Sequence, residues 1–325
     1  MSGKRRSPKS KGTLSAIVSV LVFLLFVFVI YQASSGGESS PVSSVPSPTQ
    51  ETAASPGPSK ALPTLGAMDM YIIDVGQGDS IFLRSPTGKT MLVDAGEAGE
   101  FETIDAFLKT LGVTKLDVVV ATHPHSDHIG AMYKVIRAYE IGTFYMPDIA
   151  HTTSTFEKML DALEEKDVSV KRAEASGETY LPWSNDVTVR ILSPIEGNDA
   201  DADDLNDWSV VLHISFGNSS ILLTGDAEKA AEARILETYP EEVLRATVLK
   251  AGHHGSSTSS SDAFLDAVNP EIAVISCGEG NDYGHPHAET LERYASRGME
   301  VYRTDLGGTL HLIFTAQGVS VETEK

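Results

Sequence analysis

The order of apolar and polar positions divides the chain into stretches of different character. Leu14 to Tyr31 is an apolar run with no charged residue, broken only by Ser15 and Ser19, close to the roughly 20 residues a membrane-spanning helix needs. From Gln32 to Gly66 large apolar residues almost vanish and Ser, Pro, Gly and Thr take over, a composition that cannot bury enough surface to order itself. Short β-type runs follow at Met70 to Asp74, Ser80 to Arg84 and Thr90 to Asp94, separated by Gly-containing turns, as in hairpins.

Helix and strand then alternate. Phe101, Ile104, Phe107, Leu108 and Leu111 share one helical face, and Leu116 to Ala121 is a continuous apolar strand. The pattern predicts helices at Ile129 to Tyr139 and Thr155 to Lys166, with strands at Thr143 to Met146, near Val168, and at Val187 to Leu192. A second half of related order begins with a hairpin, Trp208 to Phe216 against Ser219 to Thr224, then a helix at Ala227 to Tyr239 and a strand at Thr247 to Lys250. Further strand–helix units lead to the end. Two sheets sandwiched between helices, an α/β architecture of αββα type, accommodate this series.

Lys4, Arg5, Arg6, Lys9 and Lys11 precede the first apolar run, so it reads as a targeting segment with a cytoplasmic basic flank. It is either a cleaved signal peptide or a single-pass anchor. The anchor is favoured because the only plausible cleavage point, Tyr31-Gln32-Ala33, puts a bulky Tyr where a small residue is wanted. The expected organisation is a basic cytoplasmic N-terminus at 1–13, a transmembrane anchor at 14–31, a linker at 32–66 and one domain at 67–325 outside the cytoplasm.

Net charge is −20, and residues 61 to 325 hold 19 basic against 43 acidic groups. That surface repels polyanions at long range and argues against a general DNA-binding protein. Cys277 is the single cysteine; it lies in an apolar run and reads as a buried spectator thiol. The Asp-rich patch Asn198 to Asp207 does not reproduce calcium-loop spacing and reads as a solvated loop.

Candidate chemistry sits in His123-Pro124-His125-Ser126-Asp127-His128, between a buried strand and a helix. A strand's carboxyl end is where open sheets place their sites. Imidazole and carboxylate suit zinc and similar ions, and two such ions a few ångströms apart activate water and clamp an oxyanion.

This run resembles the His-x-His-x-Asp-His motif of the metallo-β-lactamase fold superfamily. Leu92-Val93-Asp94-Ala95-Gly96, Leu223-Thr224-Gly225-Asp226 and Ala251-Gly252-His253 are similar to its other motifs. More narrowly, the chain resembles the C-terminal hydrolase domain of ComEC-type competence proteins. The strings that carry this are Asp74-Val75-Gly76-Gln77-Gly78-Asp79-Ser80, Asn206-Asp207-Trp208-Ser209, Lys250-Ala251-Gly252-His253-His254-Gly255-Ser256 and Tyr283-Gly284-His285-Pro286. With one membrane helix, DNA uptake by this chain alone is not expected.

The resemblance implies one or two divalent ions, Zn or Mn. His123 and His125 would serve the first, Asp127, His128 and His253 the second, with Asp226 bridging. The superfamily's further histidine for the first ion is replaced by Asn206, which leaves that position weak. Asp94 is expected to orient a ligand histidine, with Asp79 near it or capping a turn. Asp127, His254 and His285 are the catalytic candidates, His254 beside the substrate or an outer group and His285 as general acid. Lys250, Ser256 and Ser257 are candidate substrate contacts, and Lys89 and Arg303 are further cations to seek near the cleft. His213, mid-strand, reads as structural.

The implied activity is phosphodiester hydrolysis of nuclease type by hydroxide held on the metal, with DNA or another phosphodiester as partner. A cell-wall or small phosphodiester, such as the phosphorylcholine of teichoic acids, is the alternative. An inactive binding module ranks below both. No protein partner is inferable.

Overall fold

Short β-runs build two sheets because each strand has one face to bury against the other sheet and one to bury under helices. The computed structural model describes residues 66–195, 197 and 204–325. The expected N-terminal segments at 1–13 and 14–31, almost all of the linker at 32–66, and most of the Asp-rich patch lie outside the described residues. Among the described residues no helix is long and apolar enough to cross a membrane.

The first sheet has eight strands. They are β1 Met68–Ile72, β2 Ile81–Arg84, β3 Thr90–Val93, β4 Lys115–Val120, β5 Glu140–Met146 and β6 Val170–Arg172, with β13 Leu310–Thr315 and β14 Gly318–Thr323 from the chain's end. Its order is β14-β13-β1-β2-β3-β4-β5-β6. The second sheet has six strands in the order β12-β11-β10-β9-β8-β7, namely β7 Thr188–Ser193, β8 Val211–Phe216, β9 Ser219–Leu223, β10 Val248–Lys250, β11 Ile272–Ile275 and β12 Glu300–Arg303.

Period-two alternation assigns side chains to layers. In β1, Met68, Met70 and Ile72 are fully buried and join Leu212, Ile214 and Phe216 of β8 in the core between the sheets. Tyr71, on the opposite face, packs toward the outer helices with Phe82 and Phe107. That outer layer is α1 Phe101–Thr110, α2 Ser126–Ile129, α3 Met132–Ala138 and α4 Ser154–Glu165. The second sheet carries α5 Lys229–Thr238, α6 Glu241–Leu244, α7 Asp262–Val268 and α8 Ala288–Ser296, with a third core of which Leu249, Phe264 and Tyr294 are fully buried members. The expected αββα sandwich is therefore present.

Two boundaries differ from expectation. The helix expected at Ile129 to Tyr139 is split into α2 and α3 at Gly130 and Ala131. A Cβ at Gly130 would run into the backbone around Ala98, so the short α2 is fixed by close approach to the β3–α1 loop. Trp208 does not open β8; Leu205–Trp208 is a 3-10 turn placed before it.

The loop after β1 is tied to α2 across the edge of the sheet. The Asp79 N–H donates to the Asp127 carbonyl at 3.1 Å, and Gly78 sits there at φ +125°, where a Cβ would overlap that same carbonyl. Gly78→Ala is therefore expected to cost about 1–3 kcal/mol and to displace Asp127. Urea unfolding together with metal titration checks this, and an unchanged variant would mean the approach is not tight.

Candidate metal centre

Parallel pairing delivers the polar motifs to one edge. β3 and β4 run side by side with Val93 opposite Val120, so Asp94 and the Thr122-His123 pair leave the first sheet together. In the second sheet β9, β10 and β11 are parallel, with Leu222 opposite Leu249. Asp226, His253-His254 and Ser276 thus emerge from adjacent strand ends. Asp94, His253 and His254 hold left-handed φ of 59°, 48° and 54°, a conformation costly for residues with a Cβ and typical of functional sites.

Asp127, His128, Asp226 and His254 form one tight group, their ligand atoms all within 4.8 Å of each other. His128 Nε2 is 3.2 Å from Asp226 Oδ1, while His254 Nε2 is 3.3 Å from Asp127 Oδ2 and 3.4 Å from Asp226 Oδ2. His128 Nε2, His254 Nε2 and Asp226 Oδ1 are buried with no hydrogen-bond partner among the described residues. With the rings neutral, their Nε2 lone pairs face carboxylate oxygens across one small space, an arrangement that either protons or a metal ion must relieve, so the donor set fits a divalent ion.

Outer partners fix which nitrogen each ring presents. His128 Nδ1 lies 2.8 Å from Asp94 Oδ2 and His254 Nδ1 lies 3.0 Å from the Ser276 carbonyl. Both rings therefore direct Nε2 inward. Asp94 is itself held by Thr122, whose N–H and hydroxyl donate at 2.8 and 2.6 Å. His123 Nδ1 meets the Thr122 hydroxyl at 3.1 Å, leaving its Nε2 3.0 Å from His125 and 3.9 Å from Asp226 Oδ2.

Expectation and structure part at the double histidine. His254 joins the group assigned to the second ion, in the place expected of His253. It is almost wholly buried, with Nε2 in the cluster, and it also forms part of the cavity lining. His253 turns the other way, its ring 6.0 Å from that of His254 at 71°, with Nδ1 3.0 Å from Glu228 Oε1.

Lys250 also needs correction. It is fully buried and its ammonium lies 2.5 Å from Asp79 Oδ2, so it meets no substrate. Asp79 caps no turn; its other oxygen is 3.5 Å from His254 Nδ1. Burial pushes the Asp79 carboxyl up, but Lys250, His254 and His128 outweigh it and hold it at about 2.

A cavity of about 360 Å³ opens above the cluster, lined by Gln77, His125, Ser126, Asp127, Asn206, Asp226, His253, His254, Tyr283 and His285. No Lys or Arg lines it among the described residues. Ser256 and Ser257 lie outside it, the Ser256 hydroxyl bonded to Thr258 and the Ser257 N–H donating to His287. Lys89 pairs with Asp117 and Arg303 with Asp305, both away from the cavity. His285 lines the cavity as expected, but burial and then His253, His254 and His287 hold its imidazole down at about 4.

His213 bonds the Arg245 carbonyl at 2.9 Å and is structural, as its mid-strand position implied. Cys277 is buried with its thiol pushed up to about 12, by burial first and then Asp305, so it is inert. Sequence reasoning missed Glu228 as a brace for His253. Its signal was its place two residues after Asp226. Gln77 and Tyr283, quoted only within longer strings, proved to line the cavity.

The two sheets, their outer helices and this cluster define a class of metal-dependent hydrolase. The Metallo-beta-lactamase superfamily matches residues 73–279, and the chain belongs to it. ComE operon protein 3 of Bacillus subtilis (strain 168) is 30% identical over 262 residues, which are 75% of this chain and 32% of that protein. Competence protein ComA of Neisseria gonorrhoeae is 32% identical over 250 residues, 77% of this chain and 33% of its own length. The chain thus spans about a third of the length of these curated relatives. Among solved structures, Igni18, a metallo hydrolase from Ignicoccus hospitalis KIN4/I, shares 16% identity over 75% of this chain and 98% of its own, with a TM-score of 0.49.

Two predictions follow from the charges around the cluster. Lys250→Met strands a buried carboxylate and is expected to cost about 3–5 kcal/mol at neutral pH. Because the Asp79 carboxyl is held low in the folded protein, its contribution is present above the unfolded pKa of about 3.9 and is lost as pH falls below that. The gap between wild type and variant should therefore narrow as pH falls from about 4 toward about 2 in urea unfolding; a constant gap would contradict the pairing. Separately, although burial opposes charge on His128 and His254, the Asp226 carboxylate and its neighbours raise both well above the ordinary histidine value. Metal uptake must displace those protons. Affinity should fall as pH falls, with proton release measurable by calorimetry in buffers of different ionisation enthalpy.

Proposed function

We propose that the chain hydrolyses phosphodiester bonds in single-stranded DNA, as a domain held outside the cytoplasm by a membrane anchor at 14–31. The observation that carries the substrate class is charge. Among the described residues, Asp79, Asp94, Asp127 and Asp226 are the carboxylates gathered at the cluster, and Lys250 is the Lys or Arg paired among them. With neutral histidines, one divalent ion leaves this cluster negative and two make it positive. Glu228, partly exposed at the rim, is screened by solvent. A two-ion site therefore attracts an anion into a cavity that has no Lys or Arg of its own.

Asp127, Asp226, His128 and His254 would hold one ion, and His123 and His125 the other with Asp226 between them. When bound, such ions supply Lewis acidity and lower the pKa of water. The protein's own groups do the rest. His285 offers a hydrogen bond to a diester oxygen, and Tyr283, 67% exposed and stacked on His285 at 5.7 Å, offers a flat face to a base. Relatives named for competence and recombination support this reading, and it remains a reading of this chain's own site.

The test uses detergent-solubilised full chain with Mn or Zn, assayed on single-stranded DNA and on bis-nitrophenyl phosphate. Asp127→Ala should lower kcat/KM by more than ~100-fold, beyond the loss typical of outer partners. Cleavage of the small diester alone would move the assignment to a cell-wall or small-molecule phosphodiester. No cleavage of either would overturn it.

A further inference from the structure

Asn206 stands where a histidine for the first ion is expected, yet the structure brings another imidazole to the same place. Asp226 Oδ1 faces His128 at 3.2 Å, while Oδ2 lies 3.9 Å from His123 Nε2 and 3.7 Å from His253 Nε2. We propose that His253 is the ligand that completes the first metal position in place of residue 206, with Glu228 and Asn206 as its positioning residues. The proposal rests on the metal-dependent reading of the cluster and adds a second, independently built position to it.

Three observations support it. First, His253 Nδ1 lies 3.0 Å from Glu228 Oε1, a carboxylate oxygen that can only accept, so the tautomer this contact selects presents its Nε2 lone pair to Asp226 Oδ2. Two acceptors facing each other repel unless a cation lies between them. Second, the Asn206 amide donates to the same Glu228 oxygen at 3.1 Å, while its own Oδ1 is buried without a partner. Asn206 thus braces the carboxylate that orients His253, the arrangement by which outer groups set a ligand imidazole. Third, His253 keeps a left-handed backbone, φ 48° and ψ 51°, immediately before His254 at φ 54° and ψ 25°. Consecutive left-handed residues turn the two rings 71° apart: both Nε2 atoms lie near Asp226 Oδ2, at 3.4 Å for His254 and 3.7 Å for His253, but His254 also faces Asp127 while His253 is backed by Glu228.

The experiment measures metal per chain and affinity in metal-stripped full chain dialysed against Mn or Zn. Wild type should take two ions. His253→Ala should lose the weaker one, and Asn206→His combined with His253→Ala should regain it, since residue 206 then supplies the imidazole. Glu228→Gln should keep both ions with the weaker affinity reduced about 10–100-fold. It carries the test if His253→Ala fails to fold, as judged by circular dichroism. Two ions bound with unchanged affinities in His253→Ala, or unchanged affinities in Glu228→Gln, would overturn the proposal. One ion in both wild type and His253→Ala would do the same and would also remove the charge argument for an anionic substrate, while leaving the metal-dependent hydrolase class, tested separately by cleavage, intact; no ion in wild type would overturn both.

Discussion

Four carboxylates, those of Asp79, Asp94, Asp127 and Asp226, crowd one edge of the sandwich, three of them almost wholly buried. Leaving even one such charge unpaired indoors would consume much of the 5–15 kcal/mol by which a domain is stable. Most of the surrounding polar architecture answers that constraint. Lys250 gives up solvent to neutralise Asp79, Thr122 spends both its N–H and its hydroxyl on Asp94, and His128 bridges Asp94 to the cluster. What these contacts leave unmet is Asp226 Oδ1 and two imidazole nitrogens, which is the demand a divalent ion meets.

Backbone geometry serves the same end. Strands delivered in parallel from two different sheets bring Asp94, Thr122 and His123 from one side and Asp226 and His254 from the other. The seam is then closed from above by the β1–β2 loop, where the Ser276 hydroxyl donates to the Gly78 carbonyl at 2.7 Å and the Asp79 N–H reaches the Asp127 carbonyl. The two halves are in this way tied together, the Ser276 hydroxyl of the second sheet holding the Gly78 carbonyl and the next residue's N–H holding Asp127. Small shifts in core packing would otherwise separate them, since neither half holds a complete ligand set.

The fold was legible because its signals are local and periodic. The strand runs at Thr90, Leu116 and Thr247 and the helices at Phe101, Thr155 and Ala227 lie within a few residues of where the structure puts them. Residue types for metal binding were legible too, and so was the absence at Asn206. The roles of neighbours were not. Whether His253 or His254 enters the tight cluster depends on two consecutive left-handed residues, which no periodicity reveals. Lys250 ends a buried three-residue strand, β10; a lysine there was taken for a cleft cation because nothing in the sequence announces that Asp79, 171 positions earlier, would meet it. Likewise Ser256 and Ser257 look like phosphate donors in a string of hydroxyls, but that segment turns inward and spends its polar groups on Thr258, His287 and Arg293.

The opposed signs of the surface and the site bear on what can be bound. An excess of acidic groups outside repels a long polyanion over roughly one Debye length, ~8 Å at physiological salt. On the proposed two-ion reading, the positive charge would act only over the few ångströms of the cavity. Binding therefore cannot rely on steering, and a duplex, which must bring many phosphates against the acidic surface at once, pays that repulsion along its length. A single diester presented by a flexible strand pays it over far fewer charges. The exposed ring of Tyr283 at the cavity wall adds an attraction that no charge opposes, because stacking depends on an accessible base face and not on the field. Were the proposed substrate correct, short-range recognition of this kind would favour an unpaired end or loop over a helix interior, since no Lys or Arg lines the cavity among the described residues.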